Sequence, residues 1–291
     1  MNLKTDMQRY FLIFSIIFLS YLLLINYNPP RVETTSNSIS NDSEYSQSMD
    51  YDEFVSREDI TSEELIIVDN TCSADDLFSF SNKNWKAKIN LESGKISYAE
   101  LTKFPKTSKS DVNKMLFNDC GPERYSQTSG FAFLDKSLNQ DALFNLSENY
   151  KDGINEVYVF EKKIENLLIK KIISFGPDDY YLKIRDSIQN LNLNEIKLAP
   201  FSKIDRSSEI VEAKGSGFTD PSSFAYLGPA FRTSEENYLK ISFNDISEKE
   251  FKQISNDGWA AMLQHYFLTA VIPDEDEDFV FQAKQKNNGD Y

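Results

Sequence analysis

The sequence predicts a mainly β protein, built of stacked antiparallel sheets and preceded by a single N-terminal transmembrane helix. Three observations carry this prediction. An uncharged run of membrane length lies near the amino terminus, a polar tract follows it, and apolar–polar alternation of period two recurs over most of the remaining chain. With 40 % apolar and 13 % aromatic residues, Phe at 22 and Tyr at 15, the 291-residue chain has ample material for a packed core. Sandwich domains often run past about 200 residues as one piece, so one domain plus attachments is expected.

Residues 1–9 form a short basic start, and Tyr10 to Tyr27 then reads YFLIFSIIFLSYLLLINY, 18 residues without a charge. As a helix this run spans roughly 27 Å, close to the hydrocarbon thickness of a bilayer, with tyrosines at both ends suited to its interfaces. A cleaved signal peptide would end in a small-x-small site, whereas Asn26, Tyr27, Asn28, Pro29 and Pro30 are too bulky for one. Lipoprotein processing is excluded in the same way, because the first cysteine is Cys72. An uncleaved anchor over 10–27 is therefore expected. Lys4, Arg9 and the amino terminus on one side, against Arg31 on the other, keep the start in the cytoplasm and put the rest outside, in the periplasm of a bacterial inner membrane. Residues 28–64, rich in Ser, Thr, Asn, Asp and Glu, bury too little apolar surface to offset chain entropy and read as a disordered tether. The folded domain is expected over 65–291.

Within it, Trp85, Ala87, Ile89 and Leu91 alternate with polar residues up to Ser93-Gly94, which predicts a hairpin with its turn there. A second hairpin is expected between Leu167–Phe175 and Tyr180–Ile188, across the turn-prone Gly176-Pro177-Asp178-Asp179. Leu239, Ile241 and Phe243 alternate as a further strand. One-sided alternation of this kind fits stacked antiparallel sheets rather than a parallel sheet covered by helices. From Gly258 to Pro273 the pattern changes. Trp259, Met262, Leu263, Tyr266 and Phe267 fall at i, i+3, i+4, i+7 and i+8, which predicts a helix N-capped by Asp257 with its stripe on the core, before a return to strand over Thr269–Ile272.

Charge narrows the function classes. The formal net charge of −15 opposes binding to a polyphosphate, and the longest basic clusters, Lys162-Lys163 and Lys170-Lys171, read as solvated strand positions. His265, the only histidine, falls between the apolar positions of the expected helix, so no catalytic residue is assigned. Gly215-Ser216-Gly217 lacks phosphate-loop spacing, and Asp274 to Asp278 lacks the glycine of a calcium loop; neither a cofactor nor a metal site is assigned. A periplasmic location permits a disulfide between Cys72 and Cys120, closing a loop of about 50 residues worth roughly 4 kcal/mol in the chain-entropy picture. The residues leave the bonded and the free state equally open.

The string Asp257-Gly258-Trp259-Ala260-Ala261-Met262-Leu263-Gln264-His265-Tyr266-Phe267, followed by Thr269-Ala270 and Ile272-Pro273, resembles the G-W-x-A-M-L-Q-x-Y-F-x-T-A-x-I-P signature of the bacterial YidC insertase family in its Gram-negative form. Leu91 to Pro105 is similar to that family's early strand-turn-strand, its two-glycine turn here reduced to Ser93-Gly94, and Phe224 to Phe243 resembles the stretch before the signature. The order of basic start, anchor, linker and β domain agrees as well. This resemblance to the YidC/Oxa/Alb superfamily implies a β-supersandwich related to galactose mutarotases, carrying one or two short helices. It further implies insertion and folding of nascent inner-membrane proteins, with or without the Sec translocon, in contact with membrane lipid, with no cofactor and no catalysis. Family members continue into five more transmembrane helices that form the insertase groove, so the sequence is expected to be incomplete and to stop before the last strands of the domain. A different reading is a membrane-anchored carbohydrate-binding or sugar-modifying sandwich, which a cleft joining His265 to acids and aromatics would favour.

Overall fold

The structure, a computed structural model, describes Phe18 and residues 76–106, 110–133, 142–207, 226–264, 266–274 and 277–291. The chain divides into two units, Met1–Met49 and Asp50–Tyr291. Phe18, the one described residue of the first, is helical. The expected anchor over 10–27, apart from Phe18, and the expected linker over 28–64 lie outside the described residues.

The second unit is antiparallel β throughout its described pairings. Sheet A runs in the order β1-β2-β3-β4-β5-β10, from β1 (Leu77–Ser81), β2 (Trp85–Asn90), β3 (Ile96–Pro105), β4 (Asn113–Asn118), β5 (Tyr125–Phe133) and β10 (Leu198–Arg206). Sheet B is the meander β6 (Asn145–Asp152), β7 (Asn155–Ile164), β8 (Leu167–Phe175) and β9 (Lys183–Asn190). Sheet C takes the order β12-β11-β14-β15, from β11 (Leu227–Arg232), β12 (Leu239–Lys240), β14 (Trp259–Gln264) and β15 (Phe267–Val271). A last pair joins β13 (Phe251–Ser255) to β16 (Phe279–Ala283), and a short helix α1 covers Phe243–Glu248.

Alternation explains the core. Trp85, Ala87 and Ile89 of β2 and every second residue of β8 turn inward, and of these the β2 residues with Ile169, Ile173 and Phe175 join Phe80, Phe160 and Ile164 in one cluster between sheets A and B. The rings of Phe80, Trp85, Tyr158 and Phe175 meet there, with Trp85 and Phe175 4.7 Å apart edge to face.

The first predicted hairpin is present as β2–β3. Gly94 adopts φ +72° in its turn, where its N–H donates to the Asn90 carbonyl at 2.8 Å. The second is present as β8–β9, but β9 begins at Lys183 rather than Tyr180. The intervening carbonyls are claimed by the β1–β2 turn: Asn84 Nδ2 donates to Asp178 O at 2.6 Å, and both Asn82 Nδ2 and Trp85 Nε1 donate to Asp179 O at 2.9 Å. The alternation at Leu239–Phe243 yields only a two-residue strand. Ser242 ends it by forming a capping box with Asp245, which starts α1 instead.

The expected helix from Gly258 is not formed, while the expected return to strand is present and begins at Phe267 rather than Thr269. Trp259–Gln264 and Phe267–Val271 are strands β14 and β15, paired in register from Ala260↔Val271 to Gln264↔Phe267, and β14 also pairs along its whole length with β11. An apolar set at helical spacing also meets strand requirements when the intervening residues are small, as Ala260 and Ala261 are, and two flanking partners decide between them. Of the expected stripe, Met262 is buried, Trp259, Leu263 and Phe267 are half-buried, and Tyr266 is 80 % exposed in the turn. Asp257 caps nothing; its carboxylate pairs with Arg232 at 2.7 Å.

Candidate functional site: the cationic junction of sheets A and C

Two places concentrate polar chemistry inside the domain, and both lie along one face of β5, where Tyr125 and Ser129 are four residues apart and so point the same way. The first lies between sheets A and B. Lys171, 1 % exposed, donates from Nζ to Ser129 O at 3.0 Å, Ser129 Oγ at 2.7 Å and Asp186 Oδ1 at 2.6 Å, while Ser129 Oγ donates to Asp186 Oδ2 at 2.5 Å. Burial lowers the Lys171 pKa and the Asp186 charge opposes that shift. Nearby, Lys162 Nζ donates to the Glu92 carbonyl at 2.9 Å and sits 5.4 Å from the Phe144 ring centre.

Lys162 and Lys171 therefore correct the expectation of solvated pairs. In each pair, period two turns one lysine inward, and strand pairing in sheet B puts both on the face that meets sheet A. Gly94 is part of this arrangement, because a Cβ there would come within 2.9 Å of Lys171 Cε and 3.0 Å of Phe144.

The second place lies where the β14–β15 hairpin meets sheet A. Tyr125, 3 % exposed, is hydrogen-bonded to Thr269 of β15 through the two hydroxyls. Its pKa is pushed up to about 12, chiefly by burial. Arg206, directly across from Tyr125 in the β5–β10 ladder, lays its guanidinium 4.8 Å from that ring centre. Lys114 of β4 holds its ammonium 5.5 Å from the ring centre of Phe267, and Phe267 in turn meets Phe104 edge to face at 5.5 Å. Burial lowers the pKa of both cations, and for Lys114 repulsion from Arg206 and then Lys106 adds to it. Glu123, exposed, is the carboxylate that favours both charges.

Among the described residues no hydrogen bond reaches either charged group. Arg206 Nε is buried without an acceptor, and Gln264, 7 % exposed, lies beside the Tyr125 hydroxyl, whose pKa it lowers. Sequence reading missed this site because its members are isolated in sequence, and Arg206 and Lys114 belong to no basic run. Three of the signature positions, Gln264, Phe267 and Thr269, point into it, which is the signal that alternation along β14 and β15 would have provided.

Gly258 begins the same hairpin with φ +143°, and a Cβ on it would penetrate the Arg232 carbonyl. Trp259 lies 6.1 Å from the Tyr238 ring. His265 and Cys72 fall outside the described residues, as does Gly215 to Gly217; Asp274, Glu277 and Asp278 are exposed. Cys120 is disulfide-bonded.

A family model for the YidC periplasmic domain matches residues 78–291, which takes in every strand from β2 to β16 and both polar places. The chain belongs to that family. Proteins named membrane protein insertase YidC align with nearly all of it: that of Mannheimia succiniciproducens is 26 % identical over 287 residues, covering 94 % of this chain and 49 % of its own. That of Haemophilus influenzae is 26 % identical over 283 residues, covering 93 % and 49 %. The Pseudoalteromonas atlantica protein is 27 % identical over 222 residues, covering 73 % and 39 %. The chain thus spans about half the length of the curated relatives it matches.

Proposed function

We propose that this chain forms the anchor and periplasmic module of a membrane protein insertase of the bacterial inner membrane. The observation that carries the reading is the alignment of nearly the whole chain with about half the length of proteins named as insertases. In this reading residues 10–27 span the bilayer with the amino terminus in the cytoplasm, 28–64 tether the domain, and 65–291 fold outside as a supersandwich. The carbohydrate reading has no comparable support.

Insertion is physical work rather than bond chemistry. A charged segment entering hydrocarbon unaided costs about 2.5–3.5 kcal/mol per residue on insertion scales, and a hydrated, protein-lined path lowers that cost. Its clients would be nascent inner-membrane proteins, taken directly or from the Sec translocon. The domain's part would be to position partners on the outer side. Cys72 would pair with Cys120, fastening the start of the domain to the end of β4.

Depletion of the gene product should leave inner-membrane proteins with charged translocated segments uninserted, read as loss of their cleavage by protease added from the outside. Normal insertion in depleted cells would overturn the proposal. For the disulfide, the denatured, unreduced protein should react with no equivalent of a thiol reagent.

A further inference from the structure

We infer that the junction of sheets A and C is a binding site for a phosphate group, carried by an anionic phospholipid or free in solution. In a chain of net charge −15, the half-buried Arg206 and Lys114 lie close enough to repel each other, with the exposed Lys106 adding to the repulsion on Lys114, and among the described residues Glu123 is the carboxylate that favours both charges. Cations gathered for structure alone take carboxylate or carbonyl partners, as Lys171 does with three acceptors, because an unpaired buried charge is costly. Here Arg206 and Lys114 rest on aromatic faces, and among the described residues no hydrogen bond reaches either charged group.

The orphaned donor is the independent sign. Arg206 Nε is buried against the Tyr125 ring without an acceptor, and the amide of Gln264 lies beside the hydroxyl of the same tyrosine. A donor left open on a rigid strand, next to uncompensated positive charge, is what an oxyanion needs, and a guanidinium with a lysine nearby suits phosphate in particular. The apolar shoulder specifies the ligand further. Phe104, 40 % exposed at the end of β3, bridges Phe267 to Tyr180, so an aromatic ledge leads outward from the charges, as fits a headgroup with acyl chains behind it. The inference rests on the geometry of this domain and does not depend on insertase activity.

The full chain, purified in a neutral maltoside detergent, would be titrated with sodium phosphate against sodium chloride of equal ionic strength. Parallel titrations would use short-chain phosphatidylglycerol and short-chain phosphatidylcholine, with the thermal midpoint as readout. A saturable upward shift is expected with phosphate or phosphatidylglycerol, weakened about tenfold in Arg206→Gln and in Lys114→Gln, as for loss of one charge-assisted contact. Arg206→Lys should restore part of it, and Lys163→Gln, on the exposed side of β7, should leave it unchanged. Because Lys114 is only half-buried and its side chain makes no hydrogen bond among the described residues, its variant keeps the test valid should Arg206→Gln fail to fold. Preference for phosphatidylglycerol assigns the site to lipid, and equal response to phosphate assigns it to the free anion. No saturable shift, equal shifts in all variants, or a response to polyglutamate but not to phosphate would overturn the inference.

Discussion

The two polar places along β5 solve the same electrostatic problem in opposite ways. Between sheets A and B, Lys171 is almost fully enclosed and every ammonium proton has an acceptor. Between sheets A and C, Arg206 and Lys114 are only partly enclosed, and their charges face rings rather than oxygens. A saturated buried cation belongs to the fold, since no lone pair or proton remains to meet anything else. An unsaturated one is tolerable only where solvent or a ligand reaches it, and that difference separates scaffold from candidate site.

The largest effect expected from breaking this contrast is at the saturated end. Asp186→Ala leaves Lys171 charged and unpaired inside the sandwich and should reduce the free energy of unfolding by about 3–5 kcal/mol, measured by denaturant titration. Replacing Arg206 by Gln should change stability far less, and a loss as large as that of Asp186→Ala would erase the distinction. Phe231→Ala, removing a side chain that is 2 % exposed, should cost about 3–5 kcal/mol, and Trp259→Ala, half-buried, clearly less.

Gly258→Ala comes next, at about 1–3 kcal/mol, because φ +143° and the Arg232 carbonyl both oppose a side chain. Tyr125→Phe removes the hydroxyl that ties β15 to sheet A and should cost about 1 kcal/mol. The same hydroxyl gives a pH signature. Its folded pKa is raised from 10.0 to about 12, so the neutral form is favoured in the fold, and its contribution is full below pH 10 and lost as the pH rises toward 12. Alkaline thermal scans of the parent and Tyr125→Phe should diverge below that window and converge above it.

The smallest expected effect is at Glu100, which accepts hydrogen bonds from Tyr98 and Asn113 and lies near Lys86; these hold its pKa below the ordinary 4.5. Its contribution is present above pH 4.5 and lost as the pH falls through the folded value, so Glu100→Gln should flatten the acid limb slightly.

What could be read in advance depended on how local the determinant was. The β2–β3 and β8–β9 hairpins follow from alternation and from turns such as Ser93-Gly94, all written within about a dozen residues. The stretch after Gly258 was legible as a family signature but not as a strand pair, since Trp259, Met262 and Leu263 fit the helical period while the small apolar Ala260 and Ala261 let the same run serve as a strand, and only pairing with β11 and β15 selects one. The cationic junction was illegible for a stronger reason. Lys114, Tyr125, Arg206 and Gln264 come from four separate strands, and no spacing along the chain encodes their meeting.

By itself, then, the sequence determined the class of fold, the positions of its clearest turns and the family, because alternation, glycine placement and a signature string are properties of neighbouring residues. Tertiary structure alone decided which lysine of each pair is enclosed, that the signature is a hairpin, and which cations are left with open donors. Those outcomes depend on which strand lies across from which, and strand pairing acts over distances in the chain that local chemistry does not reach.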